Sequence, residues 1–416
     1  MGRSGLFAIA CVLGGVLSLV AATTGSQSPA QSPAQSQVQS NVSPQARELH
    51  SQSIVVDTHD DTTQRLLDPK FNFGTRHADG SVDIPRMRAG GLSAIFFSIW
   101  IPGTVTGPTA VQRALNQIGA VRETVARHPN DLVLCTTAEE IRRAKAANKI
   151  AVLMGVEGGH MINNSLANLD KFFALGVRYM TLTHTVNTDW ADASTDKPAH
   201  DGLTDFGKQV VREMNRLGMM VDISHVADKT FYDVLAISKA PVIASHSSCR
   251  ALCSAPRNMT DDMIKALAAK GGVMQINYHI GFLSQQFQDA SKAHPELGKE
   301  IEAESKKRCG DNEACQLIEA DKITRDMVAQ GKLPRVDWTE IINHIDHAVK
   351  LVGADHVGLG SDFDGADMPY GMEDVSDIPK ITGALLAKGY SPADVRKILG
   401  GNTLRLMQDV EAAAQK

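Results

Sequence analysis

From about residue 53 onward, short runs of adjacent apolar and β-branched residues alternate with stretches whose apolar positions fall three or four apart. The runs at 53–57, 92–99, 151–156, 179–183, 219–223, 242–245, 272–276 and 357–360 predict strands. Consecutive apolar positions mark strands buried on both faces of a parallel sheet. The stretches 109–127, 138–147, 166–175, 204–217, 227–238 and 261–269 predict helices, and Gly176, Gly218 and Gly271 punctuate their ends. Eight strands alternating with helices predict an α/β fold, a (β/α)8 TIM-like barrel rather than a doubly wound sheet. No Gly-x-Gly-x-x-Gly follows a strand, which weakens a dinucleotide-binding fold.

Two regions depart from this rhythm. Residues 284–335 are charged and helix-prone, and predict a helical insertion after the seventh strand. Lid, dimer contact and simple decoration are all open roles for it. At the N-terminus, a basic start precedes an apolar run at 6–20 and small residues near Ala22, the pattern of a signal peptide over 1–22. The run is shorter than the roughly 18–20 residues a membrane span needs. Residues 23–43 are rich in Gln, Ser and Pro and repeat Gln-Ser-Pro-Ala, as a flexible tether would. The barrel domain is therefore expected over 44–416, with no transmembrane segment in the mature chain. The expected location is exported, periplasmic or secreted in a bacterium, with membrane association open.

Composition narrows the function classes. The 416 residues are 43% hydrophobic and 21% charged, with a formal net charge of -5. No basic stripe is present, so nucleic acid is not an expected partner. Five cysteines lie beyond the leader. Cys309 and Cys315 stand close enough in sequence to close a small loop, and the odd count leaves one free thiol. No Cys-x-x-Cys occurs, which argues against a sulfur-ligated zinc.

The candidate chemistry gathers at the ends of the predicted strands, the rim where barrels of this kind carry their active sites. Val55-Val56-Asp57-Thr58-His59-Asp60-Asp61 ends the first run. Residues two apart share a side of a strand, so His59 and Asp61 face the mouth together while Asp57 lies deeper. Gly155-Val156-Glu157-Gly158-Gly159-His160 places a carboxylate after an apolar strand, where burial demands a partner or a metal. Glu157 has two oxygens and can bridge two cations; His160 ranks below it as a ligand. Thr181-Leu182-Thr183-His184 offers His184 as a ligand, an oxyanion donor or a core residue. Val221-Asp222-Ile223-Ser224-His225 and Val242-Ile243-Ala244-Ser245-His246 repeat one design, an apolar strand ending in Ser-His. Asp362, after the last strand, is a candidate general acid/base, and Asp364 orients a neighbour or caps a turn. His344 and His347 are read as a polar helix face.

His59, Asp61, Glu157, His225 and His246 form a nitrogen and oxygen set suited to zinc, with manganese, iron or cobalt as alternatives. Five ligands with one shared carboxylate suit two metal ions bridged by a hydroxide. His184 would then donate to the developing oxyanion.

These motifs, in this order from about residue 53 to 406, together with Arg257-Asn258 and Gly360-Ser361-Asp362-Phe363-Asp364-Gly365, resemble the membrane dipeptidase (renal dipeptidase) family of binuclear zinc peptidases. The resemblance implies an amidohydrolase-like barrel of the metal-dependent hydrolase type that hydrolyses dipeptides. It implies that His59, Asp61 and Glu157 hold one zinc, and Glu157, His225 and His246 the other. Asp362 would be the acid/base and His184 would contact substrate. Arg257 would grip the C-terminal carboxylate of a dipeptide, because its planar donors match a carboxylate. A homodimer is also implied. Two departures stand out. Asp60 occupies a place where the family usually has Asn, and either bears on the metals or faces solvent. Phe282 falls where a substrate-contacting tyrosine is expected, with Tyr278 nearby as the substitute. Two other readings compete: a binuclear amidohydrolase acting on a cyclic amide or lactone, for which Arg257 has no use, and an exported binding protein, which predicts a missing ligand.

Overall fold

A strand with apolar side chains at every position has no face to offer water, and the strands here are buried along nearly their full length. The computed structural model describes residues 42–414. The expected leader over 1–22 lies outside the described residues, as does the tether up to residue 41. The strands are β1 (Val56–Asp60), β2 (Ala94–Trp100), β3 (Leu132–Leu134), β4 (Ile150–Glu157), β5 (Val177–Thr181), β6 (Met220–Asp222), β7 (Ile243–Ser247), β8 (Val273–Ile276) and β9 (Val357–Leu359). Eight of them pair in parallel in the order β1-β2-β4-β5-β6-β7-β8-β9. A parallel bridge between Asp60 and Phe363 brings the first and last strands together at the rim. The fold is a (β/α)8 barrel.

The seam is stitched by polar side chains. Asp57 accepts hydrogen bonds from the Ser361 N–H at 2.9 Å and the Ser361 hydroxyl at 2.5 Å. Thr58 Oγ1 lies 2.7 Å from the Ser245 carbonyl and 3.1 Å from that of Leu359. These pairs fix the height at which the strand ends meet, and so the height of the site.

The eight barrel strands fall where the hydrophobic pattern puts them, within a few residues. The first is displaced most, beginning at Val56 rather than 53, so His59 sits within the strand. β3 is an addition: three residues pair with Ile150, Ala151 and Val152 of β4, while β5 pairs with the end of β4. A three-residue strand carries no periodicity to read. The helices Ala138–Ala146, Asp205–Leu217 and Asp261–Ala269 begin after Thr137, Thr204 and Thr260, whose hydroxyls accept from the Glu140, Gly207 and Met263 N–H groups.

After β8, Gln285–Ala293, Pro295–Cys309 and Glu313–Ala329 form helices. The last two make a hairpin stapled by a disulfide between Cys309 and Cys315, with a Cα separation of 5.5 Å. Glu313 at its tip pairs with Arg113 at 2.7 Å. Between hairpin and barrel mouth lies a cavity of about 1250 Å³, walled on the barrel side by Gln64, Arg65 and Trp100. Three cysteines, not one, are free among the described residues: Cys135, Cys249 and Cys253, all buried. Cys249 and Cys253 point their thiols at the carbonyls of His344 and Gly281. Among the described residues no helix is long and apolar enough to cross a membrane.

Candidate metal centre and active site

The strand ends deliver their side chains to one point. His59 is the fourth residue of β1, Asp61 follows that strand, and Glu157 ends β4. His246 lies in β7, and His225 and His184 stand three residues beyond β6 and β5. His225 and Asp362 adopt positive φ, 69° and 68°, which β-carbon-bearing residues rarely do. Such strain gathers where surroundings over-determine a functional geometry. Gly158, at φ 117°, lets the chain turn away directly after Glu157.

Glu157 is the centre of the cluster. Its Oε1 lies 2.9 Å from His225 Nε2, 3.3 Å from His246 Nε2 and 3.7 Å from His184 Nε2. Its Oε2 lies 3.4 Å from His59 Nε2 and accepts from the Ser98 hydroxyl at 3.1 Å. His59 Nε2 is also 3.9 Å from a carboxylate oxygen of Asp61 and of Asp362. Three sets of ligand-type atoms converge within 4.8 Å of one another: His59, Glu157 and His246; Glu157, His184 and His225; and His59, Asp61 and Asp362. The five expected ligands all appear in these sets, joined by His184 and Asp362.

The electrostatics suit a cation. Burial opposes the charge on Glu157, but His59, then His184, and the close approach of His225 and His246 outweigh it and hold the carboxyl well below its usual range. Burial and then Glu157 push the Asp61 carboxyl well above its usual range. Burial, helped by Arg257, holds His225 well below its ordinary value, and burial with His59 does the same for His246. Both imidazoles are therefore neutral, the form that binds a metal. Burial lowers His59, but Glu157, Asp61 and Asp362 together raise it to about 10. His59 Nε2, Asp61 Oδ1 and His225 Nδ1 are buried without a hydrogen-bond partner. Buried polar atoms are seldom left so, and the residues fit metal ions bound by nitrogen and oxygen.

Around this cluster stand the other expected residues. Asp362 accepts a hydrogen bond from Asn277 Nδ2 at 2.8 Å. His184 has the Trp100 indole N–H 3.0 Å and 3.1 Å from its two ring nitrogens. Arg257 is 6% exposed; its Nη2 donates to the His246 carbonyl at 3.1 Å, while Nε and Nη1 have no partner. Burial pulls its pKa down to about 10, although Asp362 and Glu157 resist. Phe282 lies under its guanidinium at 5.3 Å. Tyr278 is placed apart from this group, fully buried with its ring edge-on to Phe363 at 5.8 Å.

Asp60 neither faces solvent nor joins the ligands. It is fully buried and accepts from the backbone N–H and hydroxyl of Thr62. Burial, then Asp364 and Asp57, push its carboxyl well above the usual range. Its odd position in β1 turns it to the opposite side from His59 and Asp61. Asp364 accepts from Thr62 Oγ1 at 2.6 Å and Ser81 N at 2.5 Å, which makes it an orienting residue. His344 is not on a polar face: it is fully buried, bridging the Cys249 N–H and the Leu283 carbonyl, whereas His347 pairs with Asp261. Trp100, Asn277 and Ser98 went unsingled by sequence reasoning. The only trace of Trp100 is that it directly follows the apolar run 92–99.

A family model described as membrane dipeptidase (peptidase family M19) matches residues 43–416. Dipeptidase 3 of Mus musculus is 33% identical over 386 residues, covering 89% of this chain and 67% of that protein. Among solved structures, the probable dipeptidase PvdM of Pseudomonas aeruginosa is 29% identical with a TM-score of 0.75, over 91% of this chain and all of that one (100%). A metallopeptidase of Rhodobacter sphaeroides, liganded with a phosphinate mimic of the dipeptide L-Ala-D-Ala, is 26% identical with a TM-score of 0.71, over 86% of this chain and 99% of that one.

Proposed function

The chain belongs to the membrane dipeptidase family and is a metal-dependent hydrolase of dipeptides, and from that premise we propose that it works with two zinc ions. His59, Asp61 and Glu157 hold one, and Glu157, His225 and His246 the other. The observation that carries this is the double outlook of Glu157, with Oε1 toward His225 and His246 and Oε2 toward His59. A carboxylate shared by two ions needs that division. Bound there, such ions supply hydroxide at neutral pH and polarise the scissile carbonyl.

The chain's own residues do the rest. Asp362, oriented by Asn277, takes the proton of the attacking water and passes it to the departing amine nitrogen. His184, kept neutral by burial and Arg257 against the pull of Glu157, accepts the Trp100 N–H on one nitrogen. Its own proton then sits on the other nitrogen and donates to the developing oxyanion. Arg257 binds the C-terminal carboxylate of the dipeptide with its unmet Nε and Nη1 donors. A longer peptide presents an amide at that place, which explains a restriction to dipeptides. A cyclic amide or lactone leaves those donors unpaired, and a non-catalytic binding protein has no reason to retain the whole ligand set.

Phe282 supports Arg257 where a tyrosine hydroxyl was expected, and Tyr278 contributes as a buried wall behind Phe363. The stapled hairpin walls the approach to the mouth rather than decorating it, since the cavity beneath it reaches Trp100. Export and assembly as a homodimer complete the proposal. A phosphinate dipeptide mimic tests it: competitive inhibition of L-Ala-D-Ala hydrolysis is expected, and indifference to the mimic would remove dipeptides as the substrate.

A further inference from the structure

Tyr179 belongs to the barrel interior but takes no part in the chemistry above. It lies on β5, opposite Gly155 of β4, and is fully buried. A β-carbon at position 155 would overlap the Tyr179 ring. The missing side chain therefore lets the ring cross β4 toward β1, with the Phe96 ring at 5.5 Å beside it. At the far end the phenol oxygen lies 2.9 Å from His59 Nδ1 and 3.0 Å from the Thr58 carbonyl oxygen.

One hydroxyl proton has to serve these two neighbours. A carbonyl oxygen can only accept, so the O–H is committed to Thr58 and the phenol oxygen is left to accept from Nδ1–H of His59. A phenol keeps its proton at neutral pH, so that proton stays in place. With one proton held on Nδ1, a metal ion need only displace the second proton of His59, the one its carboxylate neighbours favour, to bind a lone pair at Nε2. That lone pair faces carboxylate oxygens of Glu157 at 3.4 Å and of Asp61 and Asp362 at 3.9 Å, and has no hydrogen-bond partner. A metal ion between them would satisfy all four groups at once.

We infer that Tyr179 is a positioning residue of the metal centre, its hydroxyl fixing His59 in the Nδ1–H tautomer with Nε2 free for the ion. The inference rests on the two-metal reading above. The same logic recurs at His246, whose Nδ1 lies 2.8 Å from the Ser245 hydroxyl, itself donating to Asp222 at 2.6 Å. Each of these histidines is thus steered by a hydroxyl whose own proton is committed to an oxygen that only accepts. Outer groups of this kind orient a ligand and raise its basicity.

The test is metal titration of the Tyr179→Phe protein against a competing chelator, beside the wild type, with thermal melting of both apoproteins as the fold control. Phenylalanine keeps the ring and removes only the hydroxyl. One of the two ions is expected to bind about 10–100-fold more weakly, with the melting temperature little changed. Ser245→Ala should weaken the other ion. Wild-type affinity at both sites in Tyr179→Phe would overturn the inference alone. A wild-type chain that takes up no metal would overturn it together with the two-metal reading. Nitrogen-15 spectra of the histidines in the native metal-loaded protein decide the point without a variant. A protonated Nδ1 and metal-bound Nε2 at His59 are expected, and the reverse would overturn the inference.

Discussion

Nε2 of His225 and Nε2 of His246 face each other across 2.9 Å at the ends of adjacent strands. Burial keeps both rings neutral, and both nitrogens also look at Glu157 Oε1. Such a pocket of inward lone pairs is stable when a cation fills it. His225→Ala and His246→Ala should each cost the purified protein one metal ion, with affinity lost beyond the roughly 10–100-fold typical of outer-shell changes. Elemental analysis checks this, and an unchanged metal content in both variants would remove the pair from the ligand set.

Asp362 is held from the other side, by Asn277 at 2.8 Å. Asp362→Asn should keep the metal and lower kcat by about 10²–10⁴-fold, the usual worth of a lost acid/base. Asn277→Ala should lower kcat by less, since it frees the carboxylate without removing it. Steady-state kinetics on a dipeptide distinguish the two, and full activity of Asp362→Asn would take this residue out of the mechanism.

Arg257 is a buried cation with two unmet donors. Arg257→Ala should raise KM for dipeptides by about 30-fold or more, the lower end of the cost of breaking a buried charged pair. Arg257→Lys should restore only part of it, because an ammonium lacks the planar fork. An unchanged KM in Arg257→Ala would unseat the carboxylate clamp.

His50 lies outside the site, and its protonation is linked to stability. Its ring is buried between the Thr382 hydroxyl and the Gly90 carbonyl, and burial lowers its pKa from 6.5 to about 4. The unfolded chain therefore binds more protons between those values. Stability supplied by the neutral ring is complete above pH 6.5 and lost as pH falls toward 4. The stability advantage of wild type over His50→Asn should shrink by about 3 kcal/mol from pH 7 to pH 4. Urea titrations at several pH values measure it, and a constant difference would show that the ring does not stay neutral.

The barrel and the cluster of ligand-type residues at its mouth were legible in the sequence because both are local patterns. Most strands are, or begin as, short apolar runs, and Glu157, His225 and His246 stand within or just past the end of one. The shared parity of His59 and Asp61 also follows from strand geometry alone, whereas the burial of Asp60 away from both solvent and the cluster was not read. What supports those ligands was not legible. Trp100 meets His184 across 84 residues, and Asn277 meets Asp362 across 85. Tyr179 reads as an ordinary strand residue until the fold places Gly155 beside it. His344 misled for the same reason: a histidine in a helix looks polar until its two ring nitrogens find Cys249 and Leu283.

The two-metal proposal makes Glu157 the shared ligand on which dipeptide cleavage by this chain depends. Its most direct test is metal analysis of the purified protein paired with dipeptide hydrolysis on the same sample, before and after chelation and after zinc is restored. Two ions per chain, cleavage of L,L- or L,D-dipeptides, loss on chelation and recovery with zinc are the predicted result. Dipeptide cleavage that survives complete removal of metal, or a chain that binds none, would contradict the account.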